Sequence, residues 1–149
     1  MGELPDEASD EITVLDMEAS IEHLTRGTVR NADVLLVVTE PYYRSLETTG
    51  RIVPLAHELG LRNVWVIGNK IRAERDEAAI REYAARRAFE VVASVPFDDS
   101  ITEADRVGRA LIDYDAVSAA VQTIEALADM ILARTGSPRA APRSTGRQP

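Results

Sequence analysis

Cysteine is absent from the 149 residues, which excludes disulfides, thiolate metal sites and a cysteine nucleophile. No run of about 18 apolar residues occurs, so no transmembrane helix is expected. The first ten residues are acidic and carry neither a basic start nor an apolar stretch, so they do not resemble a signal peptide. Together these absences favour the cytoplasm. Histidine is scarce: His23 and His57 stand alone, without a partner at metal-ligand spacing, and His57 reads as a surface or core-edge residue of a helix. No Gly-x-x-x-x-Gly-Lys pattern occurs anywhere in the chain, so it contains no recognisable phosphate-binding loop.

What remains is an ordinary globular composition, 45% hydrophobic and 28% charged, at a length that suits one domain with one modest core. The formal net charge is -8 and is unevenly spread. Residues 1–133 hold 13 basic against 25 acidic groups, whereas four arginines and no acid follow from Arg134 onward. A body that acidic repels phosphate backbones, so nucleic acid is not expected as a partner. The basic tail could meet an acidic surface or simply be solvated.

After a polar lead-in over residues 1–11 come four short apolar runs: Ile12 to Leu15, Val34 to Val38, Val64 to Ile67 and Val91 to Val95. The later runs lack polar alternation. A strand apolar on both faces needs cover on both faces, as in a parallel sheet. Helical patterns separate the runs, the first over residues 21–25. Ser45 is expected to cap a helix that carries Leu46, Ile52, Val53, Ala56 and Leu59 and stops at Gly60, with Pro54 kinking or splitting it. Asp76 is expected to cap a second helix through Ala88. A third, from Ala116 to Arg134, is apolar at Val117, Ala120, Val121, Ile124, Leu127, Ala128 and Ile131, and Gly136 stops it. The expected fold class is therefore α/β: a three-layer, mostly parallel sheet with helices on both faces, over residues 12–135. Residues 136–149, rich in Pro, Ser, Gly and Arg, are expected to be disordered.

Each apolar run is followed by a polar cluster: Asp16-Met17-Glu18, Thr39-Glu40-Pro41, Gly68-Asn69-Lys70 and Pro96-Phe97-Asp98-Asp99. In an open parallel sheet, ligands bind beyond the carboxyl ends of the strands, so parallel strands would bring all four clusters to one edge. Asp16 could hold a metal-bound water near phosphates or could cap a helix. Asn69, followed by Lys70, could read the donor-acceptor edge of adenine or could serve a turn.

Residues 14–24, Val-Leu-Asp-Met-Glu-Ala-Ser-Ile-Glu-His-Leu, followed by Arg26-Gly27-Thr28, closely resemble the segment after the Walker-B strand in the CooC family. That family comprises ATPases that accompany nickel insertion into carbon monoxide dehydrogenase, within the MinD/ParA class of P-loop proteins. The runs Ala32 to Pro41, Val66 to Lys70 and Val95 to Ile101 resemble later segments of the same class, in the same order. The resemblance implies that Asp16 contacts Mg2+ through water and that Glu18 and Ser20 lie in the switch that senses the γ-phosphate of ATP. It implies that Asn69 recognises adenine, with Lys70 beside it and Pro96, Phe97 and Asp98 bordering the base. It also implies a nucleotide-gated dimer and a carbon monoxide dehydrogenase-like client. A partition ATPase with a membrane-targeting terminal helix is disfavoured, because the last helix carries Glu125 and Asp129 with only Arg134.

Two departures stand out. Ser20 occupies a position where the family has glycine, and the family's phosphate loop has no counterpart. In the family, the strand leading to that loop lies between the strand ending at Asp16 and the one beginning near Val34. Without it, those two strands must close up, stay unpaired or borrow a strand. The chain is accordingly expected to be a fragment, the product of a truncated gene model or half of a split protein, poorly stable alone and unable to hydrolyse ATP unaided. An alternative is a degenerate, non-catalytic module that pairs with an intact relative.

Overall fold

The computed structural model describes residues 12–17 and 32–136. Its three strands are β1 (Leu35–Thr39), β2 (Val64–Ile71) and β3 (Glu90–Pro96). They form one parallel sheet in the order β1-β2-β3. The helices are α1 (Tyr43–Glu58), α2 (Glu74–Arg86), α3 (Asp99–Arg106), the single turn α4 (Leu111–Tyr114) and α5 (Ala119–Thr135).

Alternation along the strands sends side chains to two helical layers. On one face Val37, Val64 and Val66 pack with Ile52, Val53 and Ala56 of α1. Ile80 and Ala84 of α2 are buried as well, and Ile80 lies against Gly68 of β2. On the other face Ile67 and Val95 pack against Ala120 of α5, with Leu36, Ala93, Leu111 and Leu127 around them. The three-layer parallel architecture expected from the unbroken apolar runs is what forms.

The first expected strand does not. Residues 12–17 adopt no strand, and Ile12, Val14 and Leu15 are 50%, 85% and 48% exposed. β-branched side chains favour a strand only where a neighbouring strand supplies the ladder and the packing, and among the described residues none pairs with this segment. The expected helix over residues 21–25 lies outside the described residues, as do the lead-in and residues 137–149.

Helix starts also differ from expectation. α1 begins at Tyr43, and Ser45 sits inside it, its hydroxyl oxygen accepting the Glu40 N–H at 2.9 Å. Pro54 lies within α1 without splitting it; its cost is one missing N–H, opposite the carbonyl of Gly50. α2 begins at Glu74, and Asp76 reaches back to accept the N–H groups of Arg72 and Ala73 at 2.9 and 3.1 Å. α5 begins two residues after Val117, which is 77% exposed, and Ser118 caps it. Gly60 and Gly136 do take the left-handed conformation expected of helix stops.

Candidate functional site

Because the three strands run parallel, their carboxyl ends share one rim. Asn69 and Lys70 lie in the last turn of β2, and Pro96, Phe97 and Asp98 close β3. The Phe97 N–H donates to the Ile71 carbonyl at 2.8 Å, which fastens the two ends together. Across β1, the Lys70 ammonium meets the Glu40 carboxylate at 2.6 Å. Glu40 thus joins the rim as a partner that the sequence placed in a polar cluster without assigning it a role.

Local geometry at Asn69-Lys70 is unusual. The register slips between Gly68, opposite Ser94, and Ile71, opposite Pro96. β2 therefore carries one extra residue there, a bulge that re-aims side chains. Lys70 absorbs the slip in the left-handed region, at φ 57°, a conformation that costs a non-glycine residue free energy and that clusters at functional sites. The Asn69 side-chain oxygen accepts the Lys70 N–H at 2.9 Å, bracing the turn. Thr39, at the end of β1, is buried and its hydroxyl lies 3.1 Å from that of Ser45.

Asp98 is engaged locally. One carboxylate oxygen accepts the Ser100 N–H at 2.9 Å, and the other accepts the Ala120 N–H at 3.4 Å. It therefore caps α3 and tethers the start of α5. The Ser100 N–H above all, with Ala120 and the Ser100 and Ser118 hydroxyls, holds its pKa below the ordinary 3.8. Phe97 carries a partner that sequence reasoning missed: the Arg72 guanidinium lies over its ring, 3.4 Å from the centroid. No sequence pattern links these residues, since the stack forms across two strand ends.

Asp16 is exposed, and no strand carries it to the rim; the adjacent Met17 packs at the margin of the α1-facing core. The structure thus brings Asn69, Lys70, Pro96, Phe97 and Asp98 together but does not tie Asp16 to them. Glu18, Ser20 and His23 lie outside the described residues. His57 is exposed on α1, its Nδ1 3.0 Å from the Leu61 carbonyl, as expected of a helix-surface histidine.

A separate cleft of about 310 Å³ opens between β1 and α1, lined by Val37, Val38, Arg44, Ser45, Thr48, Thr49 and Ile52. Asn69 and Phe97 do not line it, and the Ser45, Thr48 and Thr49 hydroxyls there already hold hydrogen bonds. The chemistry that could address a base lies on the rim instead. Among the described residues no group of acids and histidines could hold a metal ion unaided, and no helix is long and apolar enough to cross a membrane.

No protein-family model matches the chain. It is 39% identical over 126 residues to the carbon monoxide dehydrogenase accessory protein CooC of Rhodospirillum rubrum, covering 85% of this chain and 46% of that protein. It is 37% identical over 123 residues to an uncharacterized ATP-binding protein of Methanocaldococcus jannaschii, covering 83% of this chain and 47% of that protein. The chain thus spans about half the length of these curated relatives. Among solved structures it superposes on the MinD cell division protein of Aquifex aeolicus with a TM-score of 0.60 at 23% identity, covering 77% of this chain and 49% of that one. The MinC:MinD cell division protein complex of the same organism matches with a TM-score of 0.62 at 22% identity, covering 79% of this chain and 49% of that one. These structural likenesses establish the fold.

Proposed function

The chain being CooC-like and of the MinD/ParA class of P-loop NTPases, we propose that it carries the base-reading part of an ATP site used in metallocentre assembly, nickel insertion included. The observation that carries the proposal is the convergence of Asn69, Lys70 and Pro96 to Asp98 on one rim of a parallel sheet, where ligands of such sheets bind. In this reading the Asn69 amide addresses the adenine edge and Pro96 and Phe97 border the ring. Asp98 shapes the loop through its two backbone hydrogen bonds.

Mg2+ fits the residues only in part. The ion keeps waters and phosphate oxygens as ligands and needs one or two protein carboxylates. Asp16 would be the carboxylate that contacts the ion, through water, and the ion would supply neutralisation of phosphate charge. Glu18 and Ser20 are proposed as the switch segment. Phosphoryl transfer depends chiefly on positioning and on charge stabilisation by the phosphate loop. Losing even one comparable donor costs roughly 3 kcal/mol, about a hundredfold in rate. The chain is therefore not expected to hydrolyse ATP alone. The proposed working form is a dimer, with a second copy or with an intact relative that supplies the loop. The proposed client is a carbon monoxide dehydrogenase-like enzyme and the compartment is the cytoplasm.

A second reading, a non-catalytic module that pairs with an intact relative, is favoured by one observation. The outer edge of β1 has no strand partner among the described residues, and Val38 within that strand is 55% exposed. Titration with a fluorescent ATP analogue separates the two. The first reading expects saturable binding that Asn69→Ala weakens at least tenfold. Absence of binding, with association to an intact relative, overturns it in favour of the second.

A further inference from the structure

An amide that reads the edge of a base works only if the plane of the base is held, and Asn69 has no ring of its own to hold it. Tyr42 and Tyr43 follow β1 on one side of β2 and are exposed, and on the other side, at the end of β3, lies the ring of Phe97. Its position is set by the hydrogen bond from the Phe97 N–H to the Ile71 carbonyl, two residues beyond Asn69. The face of that ring is covered by the Arg72 guanidinium at 3.4 Å from the ring centroid, the thickness of one aromatic layer. Lys70, the nearer cation in sequence, is drawn away toward Glu40 on β1. The backbone of Arg72 is anchored, since its N–H donates to Asp76 at 2.9 Å, while the residue itself is exposed. Arg72 is thus a planar cation on a fixed root with a solvent-exposed side chain.

We propose that Arg72 and Phe97 form a stacking clamp for a purine ring, the ring lying on Phe97 and Arg72 closing over its outer face, so that Arg72 sets the affinity for the base. This deepens the adenine-nucleotide reading and rests on it. A purine inserted parallel to the Phe97 ring keeps an aromatic contact below and gains a cation–π contact above, and its edge then lies in plane for the Asn69 amide. Lysine at position 72 would not serve equally, because an ammonium has charge but no plane to stack.

The test separates base from phosphate. Chemical-shift titrations of the full chain use adenosine, ATP and inorganic tripolyphosphate as probes, following the Asn69 amide and the Arg72 Nε–H. In the unaltered chain, adenosine is expected to move both signals. Arg72→Ala is expected to weaken adenosine and ATP about tenfold and to leave tripolyphosphate unchanged, with Arg72→Lys recovering little. Phe97→Leu should lose as much, and the double variant little more than either alone. Equal weakening of tripolyphosphate would make Arg72 a phosphate contact and overturn the clamp. Tighter adenosine binding in Arg72→Ala would make the stack a cover to be displaced and overturn it too. Retained adenosine binding that neither substitution alters sinks the clamp alone, whereas no response of the unaltered chain to adenosine or ATP removes the nucleotide reading together with it.

Discussion

Single residues on the rim combine strain with charge. Asp98 is the residue whose ionisation matters most to the fold there. Its carboxyl binds a proton less tightly in the folded chain than its ordinary 3.8. The unfolded chain therefore takes up the proton first as pH falls, and the contribution of Asp98 to stability is present above about pH 3.8 and is lost below it. Asp98→Asn is expected to lower the melting temperature at pH 7, with the difference from the unaltered chain shrinking as pH drops below 4; thermal melts across pH 3–7 check this. Glu77 adds to the same acid sensitivity, its pKa lowered from 4.5 by hydrogen bonds from Arg81 and Ser94. The Lys70–Glu40 pair is largely open to water, with side chains 54% and 32% exposed, so its role is to direct Lys70 rather than to stabilise the fold. Asn69, Lys70 and the Pro96 to Asp98 loop were legible in sequence because strand ends are marked by a switch from apolar to polar residues. Arg72 was not, because its partner lies 25 positions away and the contact depends on how two loops cross.

At the scale of elements, α1 and α2 are locked by a contact that requires a glycine. A Cβ at Gly50 would overlap the Tyr83 hydroxyl and lie 3.2 Å from Arg87 Nε. Tyr83 donates to Glu47 at 3.1 Å, and Arg87 lies 4.2 Å over its ring. Burial, with the bond to Glu47, raises the Tyr83 pKa, so this hydroxyl stays protonated at any ordinary pH. Gly50→Ala should destabilise the fold by about 1–3 kcal/mol through overpacking, despite alanine's better helix propensity. Combining it with Tyr83→Phe should cost less than the sum of the two, because the overlapping oxygen is gone; urea unfolding of the four chains measures this. Read as sequence, Gly50 and Pro54 are two helix breakers in one segment. The structure keeps α1 whole because its apolar stripe of Ile52, Val53 and Ala56 is buried against β1 and β2, and tertiary packing outweighs local propensity.

Among the described residues the molecule is a three-stranded sheet with cover on both faces and an edge at β1 composed of Leu, Val and Thr. Edge strands of stable proteins are ordinarily guarded by charge, proline or a covering segment. The exposed Ile12, Val14 and Leu15 carry the same apolar β character. An edge and a segment that no described residue pairs together predict modest stability for the isolated chain. Trp65, the single tryptophan, is 5% exposed in β2, with Arg134 of α5 over its ring. It therefore reports the integrity of the sheet. Its emission is expected to shift at a low midpoint in thermal melts, and the midpoint should rise when an intact relative is added. A cooperative high-temperature transition of the isolated chain would contradict this.

Sequence alone determined the α/β class, the three strands of the sheet, their parallel direction and the loops that meet at the rim. Those follow from local facts: apolar runs too continuous for a half-exposed sheet, and polar clusters at their ends. Tertiary structure decided the rest. Whether Ile12 to Leu15 becomes a strand depends on a partner that its own residues do not supply. The bulge at Lys70, the reach of Asp76 and the Arg72 stack depend on the spacing between neighbouring strands and loops. Hydrophobicity and turn preference act within a few residues, whereas ladders, bulges and stacks are set by what lies across a gap in space.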